Sequence, residues 1–129
     1  MAAQEREIEI WIGGKAFPAA LNESITARQI LGALPLSGDG SRWGDEIYFD
    51  IGIELDPTNP QEEEVEIGDI AYWRPGKALC LFFGRTPAST SDRPRAASPV
   101  TVVGKLVGHI EALKSSTDLR NIEVKKKQR

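Results

Sequence analysis

The stretch AYWRPGKALCLFFGRTP, Ala71 to Pro87, holds the strongest structural signal in the chain. At its centre, Ala78 to Phe83 contains no polar side chain. A run this short and this apolar reads as a strand covered on both faces. Arg74-Pro75-Gly76-Lys77 precedes it, with Pro and Gly at the two central positions expected of a type II turn. Gly84-Arg85-Thr86-Pro87 follows and opens a segment rich in Ser, Thr, Pro and Arg that runs to Pro99. That segment is expected to be a long, mobile loop.

Shorter strands flank this one. Ile8, Ile10 and Ile12 alternate with Glu7, Glu9 and Trp11, and Gly13-Gly14 then turns the chain. Lys15 to Leu21 can return as the hairpin partner, with Pro18 marking an edge or bulge. Thr26 to Leu34 has helical spacing, with Ala27, Ile30, Leu31 and Leu34 on one face. Thr26 with Gln29 forms a candidate capping box, Ile25 with Ile30 a candidate staple, and Pro35 a stop. Leu36 to Gly44 reads as a glycine-rich loop. From Glu46 to Ile53 the chain alternates again, with Ile47, Phe49, Ile51 and Ile53 opposite Glu46, Tyr48 and Asp50. Asp56 to Glu64 reads as a polar connection, and Val65 and Ile67 as the start of another strand. Val100 to Val107 is a further strand interrupted by Gly104, Ile110 to Leu113 a short helix, and Asn121 to Lys125 a last strand. Many short strands with close turn signals and two short helices point to one mainly antiparallel β-barrel domain.

The 129 residues suffice for one domain that folds without a disulfide or metal. A single cysteine, Cys80, fits a reducing, cytoplasmic setting. The start, MAAQEREIEIW, lacks a signal-peptide core, and no apolar run approaches membrane-helix length. Net charge is −3, but Lys125, Lys126, Lys127 and Arg129 outweigh Glu123 at the C-terminal end, leaving an acidic body. An acidic body argues against nucleic acid as a partner. The ends, about residues 1–6 and 126–129, are expected to fray. One histidine and one cysteine cannot assemble a zinc site. Gly38, Gly40 and Gly44 lack dinucleotide-loop spacing, and a calcium-loop register from Asp39 places Trp43 at a ligand position. No cofactor or metal is expected.

Three segments together carry a family resemblance: WGDEIYF (Trp43–Phe49), VEIGDIAYWRPGKALCLFFGRTP (Val65–Pro87) and SPVTVVGKLV (Ser98–Val107). The chain resembles the small prokaryotic cyclophilin-like proteins over nearly its whole length, from Ile8 to Val124. The resemblance implies a closed eight-stranded barrel with two helices, the fold of the peptidyl-prolyl isomerases. It also places Phe83 where cyclophilins have a proline-pocket phenylalanine. Val100 falls on their pocket histidine, the pocket tryptophan has no counterpart between Arg85 and Pro99, and the segment carrying their catalytic arginine is absent. Arg74 and Arg85 are the candidate replacements for that arginine.

A barrel of about eight strands is filled by its own side chains, so a ligand must sit on its outer wall. The candidate ligand-binding residues are Tyr48, Tyr72, Trp73, Lys77, Phe83 and Arg85. Tyr and Trp supply apolar area with a polar tip, while Lys77 and Arg85 could hold an anion. Arg93 and Arg95 lie in the loop that could close over it. Glu46, Asp69 and Asp45 are the nearest carboxylates and read as solvated strand ends; Cys80 reads as an inert apolar residue. The first expectation is a module binding a peptide segment or small molecule. The alternatives are a divergent prolyl isomerase and a small enzyme acting on an anionic substrate.

Overall fold

The computed structural model describes residues 6–55 and 60–127. It is mainly β, with an antiparallel sheet of ten strands. They are β1 (Glu7–Ile12), β2 (Lys15–Leu21), β3 (Leu36–Gly38), β4 (Gly40–Arg42), β5 (Glu46–Asp50), β6 (Glu62–Glu64), β7 (Asp69–Trp73), β8 (Ala78–Phe82), β9 (Arg95–Leu106) and β10 (Ile122–Lys126). Their order is β3-β10-β1-β2-β9-β7-β8-β5-β4, with β6 paired to β9 off this path. Two short helices complete the fold: α1 (Ile25–Ala33) and a 3-10 helix (Ile110–Ser115).

The expected closed barrel of eight strands is corrected in two respects. The sheet has ten strands, and three of them, β3, β4 and β6, escape the sequence reading: they are three residues each and carry Gly, Ser or Glu rather than an apolar alternation. No ladder joins the two ends of the order, β3 and β4, although only Asp39 separates them in the chain. The backbone of β3 lies hard against β5: a Cβ on Gly38 would stand 1.9 Å from the Asp50 carbonyl oxygen. Asp39 Oδ1 accepts the Asn121 N–H at 2.8 Å.

Alternation assigns each side chain to one of two apolar clusters. The inner face carries the larger, with Ile8, Ile10, Ile47, Phe49, Ile70, Leu79, Leu81 and Val103 among its members, and Ala27 and Ile30 of α1 pack into it. The smaller cluster, on the outer face of β7–β9, comprises Val65, Ala71, Cys80, Phe82, Ala96 and Val100. Strand β8 is therefore buried on both sides, as its composition predicts: Leu79 and Leu81 face inward, Cys80 and Phe82 outward.

Helix α1 starts earlier than its spacing suggests. Ser24 is the cap, its hydroxyl accepting the Ala27 N–H at 3.1 Å, while Thr26 is buried in the first turn. With Ser24 as the cap, Ile25 becomes the first residue of the helix, 49 % exposed, rather than the residue before the cap that a staple uses. The hairpin of β1 and β2 turns through Gly13 and Gly14, both at positive φ. Pro18 lies at the end of the β2–β9 pairing, its carbonyl accepting the Val107 N–H at 3.0 Å just beyond the last registered pair, Ala19 with Leu106.

The outer cluster exists because the Arg85–Pro99 segment is held down. Its last residues, Arg95 to Pro99, begin β9, which pairs with β6. Thr86 N–H donates to Ser89 Oγ at 2.9 Å, Ser89 Oγ donates to the Arg93 carbonyl at 2.8 Å, and Thr86 Oγ1 bonds the Arg95 carbonyl. Arg93 pairs with Glu64 and Arg95 with Glu63, which ties both arginines to β6. The basic C-terminal residues are likewise tied up to Lys127: Lys126 pairs with Ile8 in the sheet, and Lys127 N–H donates to the Glu7 carbonyl. Residues 128 and 129 lie outside the described residues, as do 1–5 and 56–59, the start of the polar connection. Among the described residues no helix is long and apolar enough to cross a membrane.

Candidate functional site

The outer face of the sheet holds a cavity of about 220 Å³ lined by Trp43, Glu46, Tyr48, Trp73, Cys80, Ala96, Ala97 and Val100. Each wall follows from local structure. Trp43 begins the hairpin between β4 and β5, where Trp43 N–H donates to the Glu46 carbonyl and Glu46 N–H to the Trp43 carbonyl. Gly44 takes φ 62° at the first turn position, as a type II′ turn requires. From there the two-residue period of β5 sends Glu46 and Tyr48 outward and Ile47 and Phe49 inward. Cys80 sits opposite Tyr48 in the β5–β8 register. The far wall is the start of β9, where Ala96 and Ala97 are too small to fill the space.

Trp73 is fixed from two sides. Its indole N–H donates to Ser98 Oγ at 2.7 Å. Its ring lies on Gly76, where a Cβ would stand 2.7 Å from the ring edge. This corrects the turn expected at Arg74–Lys77. Gly76 has no positive φ; Arg74–Gly76 forms a 3-10 turn, and Lys77 takes the left-handed conformation at φ 48°. The glycine makes room for the tryptophan ring rather than relieving backbone strain.

Glu46 gives the cavity its only carboxyl. It is 6 % exposed, not a solvated strand end, and no Lys or Arg lines the cavity with it. Burial raises its pKa from 4.5 to about 7, against a small opposing pull from its hydrogen bond with Cys80. The Cys80 thiol is pushed well above its ordinary value by burial and then by the adjacent carboxyl. The other two carboxylates are structural. Asp69, 7 % exposed, accepts the Glu66 N–H and pairs with Lys105. Asp45 pairs with Arg42 at 2.9 Å.

Of the six residues expected to bind a ligand, the structure brings Tyr48 and Trp73 together at the cavity and disperses the rest. Tyr72 is on the inner face, its hydroxyl donating to the Ile53 carbonyl and accepting the Leu55 N–H. Phe83 also faces inward, 2 % exposed, in step with Leu79 and Leu81 two and four residues before it. Lys77 and Arg85 are exposed and do not line the cavity. The cation at Phe83 is Arg42, a residue the sequence reading missed. Its guanidinium lies 5.1 Å from the ring centroid and bonds Asp45 and the Gly44 and Lys114 carbonyls. Arg74 is drawn away to Glu54. Glu46 was missed as a cavity group because a Glu at a strand start usually points to water; its outward-facing parity with Tyr48 was the available signal. Among the described residues no group of three or more His, Cys, Asp or Glu could hold a metal ion.

Comparison with known proteins places this antiparallel fold in a family. Residues 6–125 match the sequence profile of the family described as Cyclophilin-like, and the chain belongs to that family. It is similar to the hypothetical protein AF2241 from Archaeoglobus fulgidus, whose solution structure superposes with a TM-score of 0.79. The two are 36 % identical, and the alignment covers 98 % of each chain. Comparison with curated proteins finds no match.

Proposed function

We propose that this protein is a binding module that holds a small molecule, or one side chain of a peptide segment, in the cavity on the outer face of its sheet. The observation that carries this reading is the make-up of the cavity. Three aromatic side chains and small apolar residues surround a single buried carboxyl. An apolar pocket with one placed polar group is the usual form of a small-ligand site, the walls giving affinity and the polar group orientation. Trp73 is held in place before any ligand arrives, which lowers the ordering cost of binding.

The two alternatives lose support. A prolyl isomerase would need a pocket beside Phe83, and that ring is in the inner cluster with Arg42 engaged over it. An anionic substrate would meet an acidic cavity, while Lys77 and Arg85 lie outside it.

The test is a thermal-shift and NMR screen with ring-bearing fragments such as indole, phenol and benzylamine. Fragments in this cavity should raise the melting temperature and move the Trp43 and Trp73 indole signals. Both effects should vanish in Ala96→Phe, which fills the space. Signals that move only at Lys77 or Arg85 would overturn the reading.

A further inference from the structure

We infer that the cavity is built for a cation: an ammonium group on an apolar stem, with Glu46 as its counter-ion and Trp43, Tyr48 and Trp73 as its walls. This rests on the binding role proposed above and names the ligand's chemistry.

The charge inventory leads there. Four other carboxylates around the site have cationic partners: Asp45 has Arg42, Glu63 has Arg95, Glu64 has Arg93, and Asp69 has Lys105. Glu46 has none. Its neighbours across the β5–β8 ladder are Cys80 and Phe82, and the groups facing it from β7 and β9 are Trp73, Ala96, Ala97 and Val100. The titratable groups facing it are therefore the Cys80 thiol and the Tyr48 phenol, neither of them a cation. A buried carboxyl with no protein cation is costly to ionise and gains most from a cation supplied from outside. Aromatic faces add to this, because their electron-rich surfaces attract ammonium and repel carboxylate. An anion would be excluded by the same groups, and a neutral ring would leave the carboxyl protonated.

The proton balance is explicit. Below neutral pH the Glu46 carboxyl holds its proton. When an ammonium group enters, that proton leaves to solvent, the carboxylate forms, and the charge on the ligand is neutralised in place. Binding should therefore strengthen as pH rises toward 7 and level off above it, for as long as the amine stays protonated.

The probes are benzylammonium, benzyl alcohol and benzoate, which share a ring and differ in charge. They are measured by calorimetry at pH 6 in two buffers of different ionisation enthalpy, and by NMR of the Trp43 and Trp73 indoles. Benzylammonium should bind at least tenfold more tightly than benzyl alcohol, release close to one proton, and leave benzoate without detectable binding. Glu46→Gln should abolish the preference for the cation and the proton release while keeping the alcohol's weak binding. Equal affinity of wild-type protein for cation and alcohol would overturn the inference and leave the binding cavity standing. No indole shift with any of the three would overturn the cavity reading as well. Nα-acetyl-lysine amide serves as a further arm: binding as tight as benzylammonium assigns the ammonium to a peptide side chain, and weaker binding assigns it to a free amine.

Discussion

Glu46 and Cys80 are diagonal neighbours on the outer side of the β5–β8 ladder, with the thiol hydrogen-bonded to the carboxyl. The carboxyl raises the cost of ionising the thiol, whereas the thiol's hydrogen bond favours the carboxylate, and both groups are shielded from water: Glu46 is 6 % and Cys80 1 % exposed. Burial is the largest effect on both groups and favours the neutral form of each.

This pair makes stability depend on pH in a defined direction. Glu46 titrates near 7 in the folded chain and near 4.5 when unfolded. Between those values the folded state holds the proton and the unfolded state does not, so stability falls as pH rises through this window and levels off above it. The loss is about 3 kcal/mol at most. Urea denaturation at pH 5 and pH 8.5 should show Glu46→Gln gaining on wild type between the two. Parallel curves would contradict the burial of the carboxyl.

Cys80 should be nearly unreactive in the native protein. Only the thiolate is nucleophilic, and burial beside a carboxyl disfavours it. Labelling with iodoacetamide at pH 8 should run at least about a hundredfold slower than in the urea-unfolded chain, following local opening. Labelling at the unfolded rate would place the thiol in solvent.

Phe83 and Arg42 should matter for stability and not for ligand binding. Phe83→Ala removes an inner-cluster ring at a cost of about 3–5 kcal/mol. Arg42→Ala loses the stacking on Phe83 and the bonds to Gly44, Asp45 and Lys114, a cost of about 1–2 kcal/mol at this half-exposed position. Denaturation curves should show both losses, while fragment shifts at Trp73 remain in Arg42→Ala.

Two glycines should respond in opposite senses. Gly32 sits on the exposed side of α1 with nothing within 4 Å of an added Cβ, so Gly32→Ala should stabilise by about 0.5–1 kcal/mol. Gly38→Ala drives a Cβ into the Asp50 carbonyl, and backbone in a sheet cannot withdraw. It should destabilise by several times as much, on the order of the 1–3 kcal/mol of an overpacked site. The pair, compared by thermal unfolding, reports how closely β3 lies on β5.

Much of the sheet is legible from the sequence because alternation is a local property. The parity of Ile8, Ile10, Ile12, Ile47 and Phe49 assigns each side chain to a face without knowledge of the partner strand, and the double burial of Leu79–Phe82 follows from the same rule. Strands that lack alternation escape this signal. Leu36–Gly38 and Gly40–Arg42 resemble a loop, and they pair because β10 and β5 present open edges to them. The cap at Ser24 rather than Thr26 was ambiguous locally, since either hydroxyl could accept; the burial of Thr26 selects Ser24.

By itself, the sequence determined an antiparallel β protein, the two faces of its central strand, the turn at Gly13-Gly14, and membership in its family. Only the tertiary structure decided where the site lies. Tyr48, Trp73 and Cys80 share a face with Glu46 because strands far apart in sequence are set side by side in one register. Phe83 and Tyr72, as aromatic as the others, fall on the opposite face. The physical reason is that facing is fixed by period along a strand, whereas a cavity needs a cover. Here the cover is the Arg85–Pro99 segment, bound down by side-chain bonds to Glu63, Glu64, Thr86 and Ser89 that no local pattern announces.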